Sequence, residues 1–129
     1  MSAGSRMAVL VVAGWACVSP LHASDLSDRA LAPLNAFAST VGHVVASIPF
    51  CGGDAREAEQ FKGYVEKMLQ PFNPDVADLS SFWEIVTVAK NKAVPRGVDC
   101  TDAGGQALFG QMLSQQSEIA AALGITLDQ

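Results

Sequence analysis

Beyond position 23, two cysteines, Cys51 and Cys100, and one histidine, His43, have the side chains that cysteine-dependent catalysis or zinc binding would use. A cysteine thiolate beside a histidine base can act as a nucleophile, and the same residue types bind zinc. A zinc site usually needs four ligands, often from C-x-x-C pairs, and the chain contains no such pair. In an oxidising compartment an even pair of cysteines favours a disulfide. We therefore predict a Cys51–Cys100 disulfide.

Other catalytic and cofactor motifs are missing from the sequence. It has no G-x-S-x-G serine motif, no C-x-x-C-H haem motif, and no Walker-type lysine after the glycine pair Gly52-Gly53. His43 lies next to Val44, beside the apolar face of a predicted helix, and we interpret it as structural. We expect a protein that is not an enzyme, with no catalytic, cofactor-binding or metal-binding residues.

The first 23 residues have the features of an export signal. Arg6 supplies a positive charge, and an uncharged apolar run of 12 residues follows at positions 7–18. This run is shorter than the ~20 residues that span a membrane, and Ala23 ends an acceptable cleavage site. We predict cleavage after Ala23, which also removes Cys17. The alternatives are a retained membrane anchor or a buried helix.

Cleavage would leave residues 24–129, which are 106 of the 129 residues, as a single domain that can bury a core. This part keeps all 13 acidic side chains but only 7 of the 8 basic ones, because Arg6 is lost, and its net charge is −6. An acidic chain argues against binding nucleic acid or anionic membrane surfaces. No segment after residue 23 is expected to span a bilayer. The prediction is a periplasmic or secreted protein with no stable membrane insertion after signal cleavage.

Four segments have the apolar spacing of amphipathic helices. The first covers about Leu26 to Ile48, and Pro33 fits best in the first turn of its regular part. The second opens at Asp54, which forms a capping-box pattern with Glu57. In the second helix, Lys62 and Glu66 are expected to pair along the outer face.

The third and fourth helices are predicted from their start signals, although β-branched residues and glycines interrupt their helical patterns. The third begins at Asn73-Pro74-Asp75, interpreted as the N-cap, a first-turn proline and a first-turn acid. Residues 84–88 are rich in β-branched side chains and leave helix or strand open, with helix preferred because no partner strand is available. The fourth begins at Thr101 or Asp102 and ends at Gly124. Three glycines within it are expected to let another helix approach closely: Gly104, Gly105 and Gly110.

These elements predict an all-α fold, a small antiparallel bundle of about four helices stapled by one disulfide. The Cys51–Cys100 link would join the end of the first helix to the start of the fourth. It would close a loop of about fifty residues and stabilise the fold by up to about 4 kcal/mol.

Three aromatic residues are candidates for an interface: Trp83, Phe82 and Tyr64. Large aromatic side chains usually belong to a core. They are also enriched among the residues that carry most of the binding energy at protein interfaces. Both interpretations stay open from the sequence alone.

The sequence supports three functional hypotheses. The first is a non-catalytic accessory, inhibitor or immunity-type factor that binds another exported protein. The second is an acid- or stress-responsive chaperone, because the layout resembles small periplasmic chaperones of the HdeA type in its signal, mature length, helices and one disulfide across about fifty residues. The resemblance covers architecture and cysteine spacing only. The third is a carrier of a small apolar ligand.

Intact-mass measurement tests the processing and the disulfide together. We expect the exported protein to have the mass of residues 24–129, with no thiol available to alkylation until reductant is added. Alkylation of Cys51 or Cys100 without reductant would contradict the disulfide, and a mass that includes residues 1–23 would contradict the cleavage.

Overall fold

The computed structural model describes residues 23–93 and 98–128, with side chains from Leu26 onward. The described residues form four helices and no strand, and the predicted all-α bundle is confirmed. A short 3-10 turn, Gln70–Phe72, lies between the second and third helices. The helices are α1 (Ala23–Phe50), α2 (Ala55–Leu69), α3 (Val76–Lys92) and α4 (Asp102–Leu123).

Paired carboxylates begin α2 and α3. Asp54 accepts a hydrogen bond from the Glu57 backbone N–H at 3.0 Å, and Glu57 accepts one in return from the Asp54 N–H at 3.3 Å, which confirms the predicted capping box. In α3 the N-cap is Asp75, which exchanges the same two bonds with Asp78 at 2.8 and 3.2 Å. The prediction of Asn73 as the N-cap was therefore wrong. Asn73 has a left-handed φ of 57° and ends the preceding 3-10 turn.

The predicted ends of α4 are confirmed. Thr101 is the N-cap, and its hydroxyl accepts a hydrogen bond from the Gly104 N–H at 3.2 Å. Gly124 follows the helix with φ 70°, a conformation that glycine adopts without steric cost. The N–H of Ile125 then donates to the Ala120 carbonyl at 2.8 Å and satisfies one of the last free carbonyls.

The long helix α1 occupies the centre of the bundle and packs against α2, α3 and α4. It bends at Ala30, where φ is −126°, so a regular helix begins again just after this residue. Pro33 therefore falls in a first turn, as predicted, where its missing N–H costs little. Residues 84–88, for which the sequence allows either helix or strand, lie inside α3.

The core is formed by apolar side chains of all four helices. Phe37 and Val41 of α1 are fully buried, and Phe37 lies 5.8 Å from Phe82 between ring centroids. Some apolar side chains of the amphipathic helices stay exposed, since Leu31, Leu113 and Val76 are 53%, 42% and 84% exposed. The largest fully buried side chains are Phe37, Phe82, Leu69, Met112, Ile119, Val41 and Val65.

A glycine of α1 allows the closest helix approach. A Cβ added to Gly42 would lie 2.6 Å from the Ala89 Cβ and 2.8 Å from the Val86 carbonyl oxygen of α3. The expected role of the α4 glycines in helix packing was wrong. A Cβ on Gly105 or Gly110 would meet nothing within 4 Å, and one on Gly104 would meet Asp99 in the preceding loop.

One part of the described chain is long and apolar enough to cross a membrane. By length and composition alone, the 25-residue segment Leu26–Phe50 passes that test, so the expectation that no segment after residue 23 could do so was wrong. Signal sequences and core helices of soluble proteins pass the same test. In this structure the segment carries the buried residues Phe37 and Val41 and packs against the other three helices. The absence of stable membrane insertion stays a prediction.

The predicted signal peptide lies outside the described residues except for Ala23, the first residue of α1. The apolar N-terminal segment is compatible with a signal sequence, and the disulfide is compatible with an oxidising compartment. The cleavage position and the 24–129 domain boundary stay predictions.

Substitution of Gly42 tests the close contact between α1 and α3. We expect Gly42→Ala to lower the free energy of unfolding by about 1–3 kcal/mol in urea denaturation, because the backbone and the short Ala89 side chain offer little room for the new methyl group. The matched control is Gly110→Ala in α4, where the methyl group meets nothing. This control should be neutral or stabilising by up to about 1 kcal/mol. Equal effects of the two substitutions would contradict the close contact.

Candidate functional site

The two cysteines predicted to form a disulfide are bonded to each other. Cys51 follows α1, Cys100 precedes α4, and their Cα atoms are 5.6 Å apart, so the predicted staple is confirmed. Both residues are exposed. His43, the residue that would have served as a catalytic base, is exposed on α1. Among the described residues, no cluster of three or more histidine, cysteine, aspartate or glutamate side chains could hold a metal ion.

The loop that leads into Cys100 and α4 holds a hydrogen-bonded carboxylate. Asp99 accepts hydrogen bonds from the hydroxyl and from the backbone N–H of Thr101, the latter at 2.9 Å. These two bonds lower the pKa of Asp99 below its ordinary value, because they stabilise the charged form. Thr101 in turn caps α4, so the carboxylate supports the start of this helix through its cap residue.

A cleft of about 340 Å³ lies beside the disulfide, between the end of α1 and the first halves of α2 and α4. We call it the disulfide cleft. This volume falls at the lower end of the range for small-molecule sites. Two carboxylates, Glu57 and Asp99, lie on its border, and both cysteines of the disulfide contribute to its wall. Its apolar side chains are Val44, Ile48, Phe61, Leu108, Phe109 and Met112.

Next to the cleft, α2 and α4 present an apolar surface formed by Tyr64, Phe109 and Leu113, which we call the apolar ridge. The rings of Tyr64 and Phe109 are 5.6 Å apart between centroids, and Leu113 follows Phe109 by one helical turn. The three side chains are 38%, 43% and 42% exposed. Partial burial raises the pKa of Tyr64. The ridge therefore leaves aromatic and aliphatic surface in contact with water.

Side-chain contacts join α2 and α4. The Gln116 side-chain amide donates to the Met68 carbonyl at 2.6 Å. On the other side of the ridge, a second groove is lined by Tyr64, Leu113 and residues of the C-terminal segment. The seam between α2 and α4 is thus open on both sides of the ridge.

The three aromatic residues predicted as an interface do not form one surface. Phe82 is 2% exposed and belongs to the core, so it is not accessible to a partner of the folded protein. Trp83 packs edge-on against Phe82, with 5.1 Å between ring centroids. Tyr64 lies on the ridge. A role for Tyr64 or Trp83 at an interface stays a prediction.

Trp83 is occupied by contacts between α3 and α2. Its indole N–H donates to the Glu66 carboxylate at 2.8 Å, and the Lys62 ammonium lies 5.5 Å from its ring centroid. The expected Lys62–Glu66 pair is replaced by this arrangement, with Lys62 paired to Glu59 at 3.5 Å. Positions 62 and 66 point away from position 64, because residues two apart on a helix differ by about 200°.

Sequence reasoning missed Phe109 and Leu113 as candidate site residues. A partial signal was present in the sequence, since Phe109 and Leu113 are one helical turn apart. The contact between Phe109 and Tyr64, which lie 45 residues apart, has no local signal in the sequence.

The fold and the site define an all-α bundle with one disulfide and an open apolar seam between α2 and α4. Neither family models, nor curated proteins, nor solved structures give a match to this chain. The resemblance in layout to HdeA-type chaperones therefore has no support from these comparisons.

The hydrogen bonds of Asp99 predict a pH-dependent stability. Because its folded-state pKa is lowered, ionised Asp99 stabilises the fold above its unfolded-state pKa, and this stabilisation is lost as the pH falls through the folded-state pKa. We expect Asp99→Asn to be less stable than the parent protein at about pH 5–7, with a difference that shrinks below about pH 4.

Urea denaturation across this pH range measures the difference. Glu118→Gln, on the exposed side of α4, is the control because it also removes one negative charge. A stability difference between the parent and Asp99→Asn that is the same at every pH would contradict a role for the ionised carboxylate.

Proposed function

We propose that this protein is an exported, non-catalytic binding protein that associates with another exported protein through the apolar ridge. The single observation that carries the proposal is the exposure of Tyr64, Phe109 and Leu113 side by side, at 38–43% each. Contiguous exposed apolar surface of this kind is typical of interaction sites. Tyrosine in particular is enriched among the residues that dominate binding energy.

The ridge is favoured over the other aromatic surface. Trp83 already uses its indole N–H and one ring face within the protein. Tyr64 and Phe109 instead contact each other and leave their outer surfaces free for a partner. The groove lined by Tyr64, Leu113 and the C-terminal segment gives the ridge the relief that an interdigitating partner needs.

The charge of the chain indicates the chemistry of the partner. The chain has a formal net charge of −5, and −6 after the proposed cleavage. A partner with a net positive surface would be steered towards it, and the ridge would then supply apolar contact. We therefore propose a partner whose apolar anchor residues are surrounded by basic side chains.

The non-catalytic part of the proposal has its own support. The two cysteines that could have acted as nucleophiles are bonded to each other. Nucleophilic catalysis by cysteine requires a free thiolate within hydrogen-bond reach of a base.

Site-specific crosslinking tests this proposal. A photo-crosslinking amino acid at position 64 should capture one defined protein in the exported fraction, whereas the same group at Val76, which is 84% exposed at the start of α3, should not. Tyr64→Ala with Leu113→Ala should weaken the purified complex about tenfold to a hundredfold, because each anchor contributes on the order of 1 kcal/mol or more.

The matched control is Val76→Ala with Val88→Ala, which truncates two exposed apolar residues of α3 outside the ridge. It should leave the affinity unchanged. Raised salt should slow association with the proposed basic partner. Capture of the same protein from positions 64 and 76, or equal affinity of the two double variants, would sink the proposal.

A further inference from the structure

The disulfide cleft has an apolar interior and an acidic border. Met112 at its base is 1% exposed, and Val44, Ile48 and Phe61 are partly buried around it. The volume of about 340 Å³ can hold a small organic molecule. Apolar walls of this kind favour an apolar body in the occupant, because its surface is removed from water.

The polar side chains in the cleft wall are all hydrogen-bonded within the protein, and Glu57 accepts from the Asp54 N–H while Asp99 accepts from Thr101. The Ser47 hydroxyl donates to the Val44 carbonyl at 2.8 Å, and the Thr101 hydroxyl bonds with Asp99 and Gly104. The charged residues of the wall are Glu57 and Asp99, and no lysine, arginine or histidine of the described chain joins them there. These two carboxylates give the mouth of the cleft a negative formal charge.

We propose that the disulfide cleft binds a small amphipathic organic cation, with its apolar body against Phe61, Leu108 and Met112 and its ammonium group between Glu57 and Asp99. The combination of an apolar interior and two carboxylates selects this class over fatty acids, which would bring a third negative charge to the same place. The hydrogen bonds that hold Asp99 in its ionised form support this preference.

This site is separate from the proposed protein-binding function. The ligand would lie against the cleft walls, whereas a protein partner would cover Tyr64 and Leu113, which do not line the cleft. Phe109 borders both surfaces, so we exclude it from the test. Failure of either proposal therefore leaves the other unchanged.

Three probes with the same carbon skeleton test the charge preference: 4-phenylbutylammonium, 4-phenylbutan-1-ol and 4-phenylbutyrate. Each is titrated into the oxidised protein, with amide chemical shifts used to locate binding and calorimetry used to measure affinity. We expect the ammonium probe to shift the amides around Gly105 and Leu108 and to bind about tenfold more tightly than the carboxylate. The affinity of the alcohol should lie between those of the ammonium and the carboxylate.

Glycine substitutions in α4 test the location. Gly105 lines the cleft, and a Cβ added there meets no atom within 4 Å, so Gly105→Leu fills the cleft without a clash at its Cβ atom. This substitution should weaken binding of the ammonium probe at least about tenfold. Gly110→Leu makes the same change on the same helix, also without a clash, at a position outside the cleft wall. It should bind the probe as the parent does.

Neutral substitutions test the acidic border. Glu57→Gln with Asp99→Asn keeps the acceptor oxygens used by the two helix starts but removes both charges. This variant, checked for folding by circular dichroism, should bind the ammonium and alcohol probes equally. Glu118→Gln should keep the parent's preference.

Four results would overturn the proposal. They are equal or tighter binding of 4-phenylbutyrate, no saturable binding of the ammonium probe, chemical-shift changes away from the cleft, and unchanged binding by Gly105→Leu.

Discussion

The Cys51–Cys100 disulfide is the constraint on which the arrangement of the helices depends. It fixes the end of α1 to the start of α4 across 49 residues of sequence. In the chain-entropy description such a link stabilises the fold by up to about 4 kcal/mol, which is comparable with the whole stability of many small domains at about 5–15 kcal/mol. Both cysteines lie outside regular helix, so the link is made without interrupting the hydrogen bonds of α1 or α4.

The same link explains why the candidate site lies where it does. The chain leaves Cys51 through Gly52, which has φ 94°, and α2 begins four residues after the cysteine. The start of α2 is therefore held close to the start of α4. Farther along, the two helices are joined by the Tyr64–Phe109 ring contact and the Gln116–Met68 hydrogen bond. An apolar seam stays open between them, and the disulfide cleft lies at the end of the seam next to Cys51 and Cys100.

The features that the sequence predicted are those with local physical causes. The capping box of Asp54 and Glu57, the Thr101 cap and the Gly124 stop depend on residues within four positions of each other, and the structure contains all three. The start of α3 was misplaced by two residues because Asn73 and Asp75 are both good N-caps and local chemistry does not separate them.

What the sequence could not predict depends on contacts between distant residues. Glu66 accepts from Trp83 instead of pairing with Lys62, because α3 brings an indole N–H within 2.8 Å. Gly42 permits a close helix crossing, a role that had been expected of glycines in α4. The same limit applies to the site, since apolar spacing predicts which residues share a helix face but not whether a neighbouring helix covers that face.

The open seam is compatible with a stable fold because the residues that form the buried core differ from those that form the exposed ridge. Phe37, Phe82 and Ile119 supply burial in a core that the ridge residues border only in part. Exposed apolar surface promotes association between copies of a protein. The excess of acidic side chains opposes that association by mutual repulsion while leaving contact with a positively charged partner favourable. The acidic charge thus supports the proposed basic partner over a second copy of this chain.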